Sequence, residues 1–137
     1  GMDWVESVVK YERPDIVILD MGDKFADIRT ERTDITLKAA AIHARNIAKQ
    51  YDCAVVWMSQ LSAEAEGRAD LNQAMMEGSK TGKAAEADLM LLIGKTQQAE
   101  GEEEDPIRYL NIAKNKLNGF QGKITCQLDG SRSLYSA

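Results

Sequence analysis

Short runs of consecutive apolar residues alternate with longer amphipathic stretches along much of this chain. The runs at residues 16–19, 53–58 and 88–93 are rich in aliphatic side chains, which is typical of strands buried on both faces of a parallel sheet. Between the first two runs, apolar positions at helical spacing predict a helix over residues 33–51. The order strand, helix, strand predicts a parallel βαβ unit with a right-handed crossover.

Different patterns flank this unit. Residues 3–12 predict a short amphipathic helix with Asp3 as its N-cap, and Pro14 is expected to end it. Residues 61–86 show weak apolar periodicity and several glycines, which predicts a long loop with at most a short helix near residues 71–76. Loops of this length within a compact domain are usually functional.

The C-terminal part of the chain has the alternating pattern of antiparallel strands. Residues 107–113 and 123–128 alternate apolar with polar side chains, and they bracket the turn dipeptide Asn118-Gly119. This arrangement predicts an antiparallel hairpin. Residues 133–135 are expected to add a short last strand.

Length and charge refine this picture. A chain of 137 residues suits one domain, and its formal net charge is −5. Five acidic residues lie within residues 100–105, inside an acidic loop predicted over residues 95–106 that we expect to be solvated, whereas residues 106–137 carry five basic residues against one acidic residue. A neutral body with a basic C-terminal region permits a polyanion on one face.

Several classes of protein are excluded by simple counts. No apolar run approaches the roughly 20 residues that a membrane-spanning helix needs, and no signal peptide pattern is present. The two cysteines are too few for a disulfide framework, which favours the cytoplasm. The single histidine, His43, excludes a multi-histidine metal site and is expected to be solvated or hydrogen-bonded rather than catalytic. Gly1 precedes Met2, as expected of a residue left by tag removal.

Polar side chains follow two of the predicted strands at the point where each strand ends. Asp20 comes directly after the first apolar run, and Ser59 and Gln60 follow the second. Ligands of open parallel sheets bind outside the carboxyl ends of the strands, so Asp20 and Gln60 are expected to face one crevice. The carboxylate suits Mg²⁺, held directly or through water, and the amide suits a terminal phosphate. The alternative for Asp20 is an ordinary turn-forming residue, and together with Asp23 it could also serve a metal nuclease.

Two lysine-bearing segments have possible contacts with phosphates. Residues 78–84 resemble a phosphate-binding P-loop but have too short a spacing between the glycines, and Ala84 stands where the pattern needs a hydroxyl. We therefore reject a nucleotide loop there, while a contact with a nucleic-acid backbone stays open beside a plain surface loop. Lys114 and Lys116 are two residues apart on a predicted strand, so both ammonium groups are expected on one face.

The order of these segments resembles the C-terminal half of the RecA-like motor domain of DnaB-type replicative helicases and phage helicase–primases. Residues 14–20 look like the Walker B strand, and residues 55–61 look like the following motif with its glutamine. Residues 77–79 and 87–92 are similar to the DNA loop and the next core strand. Residues 112–116 look like the basic finger motif, and the likeness covers about residues 14–128.

This resemblance implies a partial RecA-like, three-layer α/β fold, with parallel core strands followed by an antiparallel C-terminal hairpin. It also implies roles for named side chains. Asp20 would position Mg²⁺ and the attacking water, and Gln60 would couple the phosphate state to the DNA loop. The side chains expected near single-stranded DNA are Ser79, Lys80 and Lys83. Lys114 and Lys116 would reach the neighbouring subunit's nucleotide in a homo-oligomeric ring, expected to be a hexamer.

The sequence departs from the helicase pattern in three respects. Lys116 stands where the family usually has an arginine, which loses bidentate phosphate contacts. The segment from Ser79 to Asp88 is one residue longer than expected, and the chain contains neither a P-loop nor the strand with the catalytic glutamate. We therefore expect the 137 residues alone to be inactive and to bind no nucleotide tightly, with Mg²⁺ and ATP or another NTP acting in a longer parent protein.

A sheet without its P-loop strand is expected to be rearranged or to associate through exposed edges. Two other functions remain open. A RecA-like recombinase or clock-type ATPase would share the Asp20 strand, and a non-catalytic binding module would explain the missing P-loop directly.

Overall fold

The computed structural model of the chain describes residues 1–26, 33–76 and 82–137, with only the backbone of residues 33 and 34. Ser79 and Lys80 lie outside the described residues. The chain divides into two compact units. The first consists of Gly1–Gln60 and Glu77–Ala87, and the second of Leu61–Met76 and Asp88–Ala137. The predicted loop over residues 61–86 is thus shared between the two units.

The first unit is built around two parallel strands. Strands β1 (Ile16–Leu19) and β2 (Ala54–Trp57) pair in register from Ile16 with Ala54 to Leu19 with Trp57. They are connected by helix α2 (Thr33–Tyr51), which confirms the predicted strand–helix–strand unit. Helix α1 (Met2–Glu12) precedes β1, and a one-turn helix, α3 (Lys83–Glu86), completes the described part of the unit.

Both long helices bury the apolar face that their sequence pattern presents. Val9 on α1 and Ile47 on α2 are each 1% exposed, and they belong to a core that also contains Leu19 at the end of β1. Val17, Val55 and Trp57 pack against the same core from the strands. Helix α1 ends because Arg13 adopts a left-handed conformation (φ 51°) whose N–H bonds the Val9 carbonyl at 2.9 Å. The cap predicted at Asp3 is wrong by two residues, since the helix begins at Met2 with Gly1 as its N-cap.

The opposite face of the β1–β2 sheet is open among the residues that the structure describes. We call this surface the open face; its side chains are Ile16, Ile18, Val56 and Met58, with exposed fractions of 60, 64, 44 and 47%. Strand β3 of the second unit, Leu89–Gly94, shows the same alternation between exposed and buried positions. The prediction that all three apolar runs are buried on both faces is therefore wrong. A continuous apolar run shows that both faces avoid water, but it does not supply the layer that covers them.

The second unit is a four-stranded antiparallel sheet in the order β3-β4-β5-β6. Its strands are β3 (Leu89–Gly94), β4 (Ile107–Asn115), β5 (Gly122–Asp129) and β6 (Leu134–Ser136). The predicted hairpin and the short last strand are confirmed. Pairing of β3 with β4 was not predicted, because a one-residue bulge between Met90 and Leu91 and the intervening acidic loop obscure it in the sequence.

Residues 61–76 are held on this sheet rather than forming a free loop. The buried Asn111 side chain accepts a hydrogen bond from the Leu71 N–H at 3.2 Å and donates one to the Ala69 carbonyl at 2.9 Å. Gln73 donates to the Ala113 carbonyl at 3.0 Å, and it begins a 3₁₀ turn over Gln73–Met75. This turn matches the short helix predicted near residues 71–76.

The acidic loop is exposed, as predicted, but it is tied down at one point. Glu104 accepts hydrogen bonds from Lys95 at 3.0 Å and from Arg108 at 3.1 Å, although its side chain remains 72% exposed. Arg108 also donates to the Asp105 carbonyl at 2.6 Å. In the three described ranges, no helix is both long enough and apolar enough to cross a membrane.

Candidate active site

The carboxyl ends of β1 and β2 lie side by side, as the sequence predicted. Beyond the last register pair, the Met58 N–H bonds the Leu19 carbonyl at 3.1 Å, and the Gly22 N–H bonds the Met58 carbonyl at 2.8 Å. Asp20 therefore follows one strand, and Ser59 and Gln60 follow its direct neighbour. Both Asp20 and Gln60 are exposed. The two residues singled out from the sequence thus occur at the same edge of one sheet.

The turn after β1 requires its glycine. Met21 takes a left-handed conformation (φ 57°) and leads into a 3₁₀ helix over Gly22–Phe25. The indole ring of Trp57 covers Gly22 so closely that a Cβ built there would lie within 2.6 Å of three ring atoms. Only a residue without a side chain allows this approach. The turn is therefore fixed against β2 both by hydrogen bonds and by the packed indole.

Asp23, within this turn, is the centre of a hydrogen-bonded cluster. Its carboxylate accepts from the Trp57 indole N–H at 2.9 Å, from the Ser59 hydroxyl at 2.7 Å, and from the Lys83 ammonium at 2.8 and 2.9 Å. The Lys83 ammonium also donates to the Ser59 hydroxyl at 2.8 Å. We call these four side chains the Asp23 cluster. It joins the turn after β1, the end of β2 and the first residue of α3.

The cluster keeps its carboxylate ionised. Burial raises the pKa of Asp23, but this effect is outweighed by hydrogen bonds from Lys83, Ser59 and Trp57 and by the positive charge of Lys83. The net pKa therefore lies below its usual value of 3.8. Lys83 is 5% exposed, and a buried ammonium is tolerated because it is paired with this carboxylate.

This position of Lys83 bears on two sequence-based interpretations. The rejection of residues 78–84 as a P-loop agrees with the structure, since the second lysine of that segment is engaged by Asp23. The predicted contact of Lys83 with DNA is untested, and it would require the buried ion pair to break. Ser79 and Lys80 lie outside the described residues, so their predicted contacts with DNA also stay predictions.

Sequence reasoning missed the cluster as a unit. Asp23 was noticed only as a possible second carboxylate for a metal, and Lys83 only as a loop cation. The signal available in the sequence was weak, because Asp23 and Lys83 are 60 residues apart and either is an ordinary surface residue by composition.

The residues at this edge fit Mg²⁺ only in part. Protein sites for Mg²⁺ often supply one or two carboxylates, and the remaining ligands are water and substrate phosphates. Asp20 is exposed and can provide one such carboxylate. No group of three or more His, Cys, Asp or Glu side chains suited to a metal occurs among residues 1–26, 33–76 and 82–137. Asp20 could therefore hold Mg²⁺ together with phosphate oxygens, but the described side chains form no independent metal centre.

Lys114 and Lys116 lie near the end of β4, in the second unit. Lys114 is on the strand and half-buried, whereas Lys116 is exposed and one residue past the strand, with its backbone N–H bonded to the Asp88 carbonyl at 2.8 Å. The expectation that both lie on one strand is therefore wrong by one residue. The turn that follows is ordered by Asn115, whose side chain accepts from the Leu117 N–H at 3.0 Å.

His43 has the structural role that the sequence favoured. Its Nε2 lies 2.6 Å from a carboxylate oxygen of Glu6, whose other oxygen accepts from the Tyr51 hydroxyl at 3.2 Å. The hydrogen bond from His43 is the largest cause of a lowered Glu6 pKa. These contacts connect α1 to α2 and share no residue with the Asp23 cluster.

Comparison with known proteins connects this geometry to one fold. No family profile and no curated protein sequence matches the chain. Among solved structures, the chain is similar to the ATPase domain of a DnaB-like helicase with a TM-score of 0.82 and 17% identity, covering 98% of this chain and 50% of that one. It is also similar to a DnaB-like replicative helicase, solved in a study of its interactions with primase, with a TM-score of 0.81 and 18% identity, covering 98% of this chain and 35% of that one.

The chain therefore has an α/β fold shared with the ATPase domains of DnaB-like helicases, as the sequence resemblance suggested. It spans about half of the first solved chain and about a third of the second. At this level of identity the likeness is one of fold, and the chemistry has to be argued from the residues.

Proposed function

We propose that this chain is part of a replicative DNA helicase motor, in which NTP hydrolysis drives movement along single-stranded DNA. Because the chain spans only part of the solved helicase structures that it resembles, the activity belongs in this proposal to a longer protein. That protein would work in the cytoplasm, and the present 137 residues alone would be inactive.

One observation carries the proposal. Asp20 and Gln60 directly follow the ends of neighbouring parallel strands, and backbone hydrogen bonds between Leu19, Met58 and Gly22 continue the pairing up to those residues. A carboxylate and an amide at one sheet edge suit a metal–polyphosphate ligand, since Mg²⁺ prefers oxygen ligands and an amide can donate to a terminal phosphate. The shared fold with helicase ATPase domains supports the same assignment.

The roles follow from the chemistry of each group. Asp20 would hold Mg²⁺, directly or through water, and orient the attacking water. Gln60 would respond to the presence of the terminal phosphate. The phosphate cradle would come from another part of the longer protein, because the 137-residue sequence contains no P-loop.

The basic residues would serve DNA and the neighbouring subunit. Ser79 and Lys80 would lie near single-stranded DNA, and Lys83 could join them only if its ion pair opened. Lys114 and Lys116 would approach the nucleotide of the next subunit in a ring, which we propose to be a hexamer. Their ammonium groups would stabilise charge that develops on the transferred phosphoryl group.

The proposal is tested by NTP hydrolysis in the longer protein, with and without single-stranded DNA. We expect DNA-stimulated turnover, and we expect Asp20→Asn to lower kcat about a hundredfold or more. Asp15→Asn is the matched control, because Asp15 precedes the opposite end of the same strand and is also exposed. Turnover that survives Asp20→Asn, or that falls equally in both variants, would refute the assignment of Asp20.

A further inference from the structure

The Asp23 cluster contains a buried ion pair that the proposed hydrolysis does not use. A buried lysine is costly to desolvate, and replacing such a pair with apolar residues is often neutral or stabilising in proteins. Stability alone is therefore a weak explanation for Lys83 and Asp23. The geometry offers another explanation, because the hydrogen bonds of the cluster join three separate segments of the chain.

Ser59 is the connection to the candidate site. Its hydroxyl donates to Asp23 at 2.7 Å and accepts from Lys83 at 2.8 Å, and it is the residue immediately before Gln60. Two hydrogen bonds on one short side chain fix its rotamer and hence the direction in which the chain leaves β2. The exposed Gln60 has no comparable restraint from burial.

We propose that Asp23 is a positioning residue for Gln60, acting through Ser59, and that Lys83 ties this position to the start of α3. The inference rests on the proposed function of Gln60 as the phosphate-responsive group. A change at the first residue of α3 would be transmitted to Gln60 through two side chains, and a displacement of Gln60 would load the same contacts in reverse. Lys83 thus acts as a mechanical link and not as a ligand of DNA.

The link can be measured in the 137-residue chain without any nucleotide. In ¹⁵N-labelled protein, we expect Ser59→Ala to shift the Gln60 side-chain amide resonances and to speed backbone amide exchange at residues 59 and 60 about tenfold or more, because the local restraint is lost. Ser59→Thr keeps the hydroxyl and should restore the original behaviour. Lys83→Met should reproduce the effect of Ser59→Ala from the far end of the link.

Lys123→Met is the matched control, because it breaks a 2.6 Å ion pair with Asp70 within the second unit and does not contact Ser59. It should leave residues 59 and 60 unchanged. Unaltered Gln60 resonances and exchange in folded Ser59→Ala would overturn the inference, and so would an equal effect of Lys123→Met. If Lys83→Met does not fold, the Ser59 pair still decides the question.

Kinetics of the longer protein separate positioning from a merely structural role. We expect Ser59→Ala to lower kcat about tenfold while KM changes less than about twofold, with recovery in Ser59→Thr. Normal hydrolysis despite displaced Gln60 resonances would refute the positioning role but not the helicase assignment. Absence of hydrolysis in the unaltered protein would refute the proposed function, whereas the link between Ser59 and Gln60 would still be measurable.

Discussion

The ammonium of Lys83 lies 2.8 and 2.9 Å from the two carboxylate oxygens of Asp23, and only 5% of the lysine is exposed. This contact joins residues 60 positions apart in the chain. It brings the first residue of α3 against the turn that follows the first strand. The stability of the first unit therefore depends on the charge of Asp23 and on the packing of that turn.

Acid should weaken the first unit through Asp23. The pKa of Asp23 is lowered in the folded chain, so the group stabilises the fold above its unfolded pKa of about 3.8, and this contribution is lost as the pH falls through the lower folded value. We therefore expect the free energy of unfolding of the unaltered chain to exceed that of Asp23→Asn at about pH 6. The difference should shrink as the pH falls below about 4.

Urea unfolding at several pH values, followed by tryptophan fluorescence, measures this difference. Glu6 also has a lowered pKa and is present in both proteins, so its contribution cancels in the comparison. A difference that does not depend on pH would contradict the assigned role of the Asp23 charge.

Gly22→Ala should disturb the turn after β1. The added methyl group would lie within 2.6 Å of three atoms of the Trp57 ring, so the indole or the backbone must move. Overpacking of this kind costs about 1–3 kcal/mol in the free energy of unfolding. Near-ultraviolet circular dichroism should show an altered tryptophan signal, since Trp57 also donates to Asp23.

Gly130→Ala is the control for this substitution. A Cβ at Gly130 meets nothing within 4 Å, so the measured stability should stay within about 0.5 kcal/mol of the unaltered chain. Equal effects of the two substitutions would show that the close approach of Trp57 to Gly22 does not matter.

The open face should promote self-association of the 137-residue chain. Four neighbouring apolar side chains are exposed there, and such patches usually bind another surface. We expect concentration-dependent sedimentation that Ile18→Lys reduces. Ile35→Lys is the control, because Ile35 is 53% exposed on α2 and not on the open face. A monomer at all concentrations would show that the open face does not associate.

The proposed role of Lys116 in a neighbouring subunit predicts complementation. In the longer protein, Lys116→Ala and Asp20→Asn should each be inactive when assembled alone. A mixed ring contains some sites with an intact Asp20 from one subunit and an intact Lys116 from the next. We therefore expect hydrolysis to reappear on mixing. Failure to regain activity, in rings shown to exchange subunits, would place Lys116 and Asp20 in the same subunit's site or remove Lys116 from catalysis.

Hydrophobic patterning was sufficient to predict most of the regular elements and the adjacent ends of β1 and β2. Strands and helices differ in the period of their apolar residues, so residues 16–19, 33–51 and 107–113 could be assigned without tertiary information. The resemblance carried by Asp20, Gln60 and their spacing also led to the fold that the solved structures share. These features are local, and local sequence determines them.

Which faces stay open, and which charges meet, was decided only by the tertiary structure. The same apolar run fits a strand covered on one side or on both, because periodicity contains no record of the neighbouring layer. Asp23 and Lys83 form a pair only because the fold brings distant segments together. A charge interacts with its partner according to distance in space, and distance along the chain carries almost no information about it.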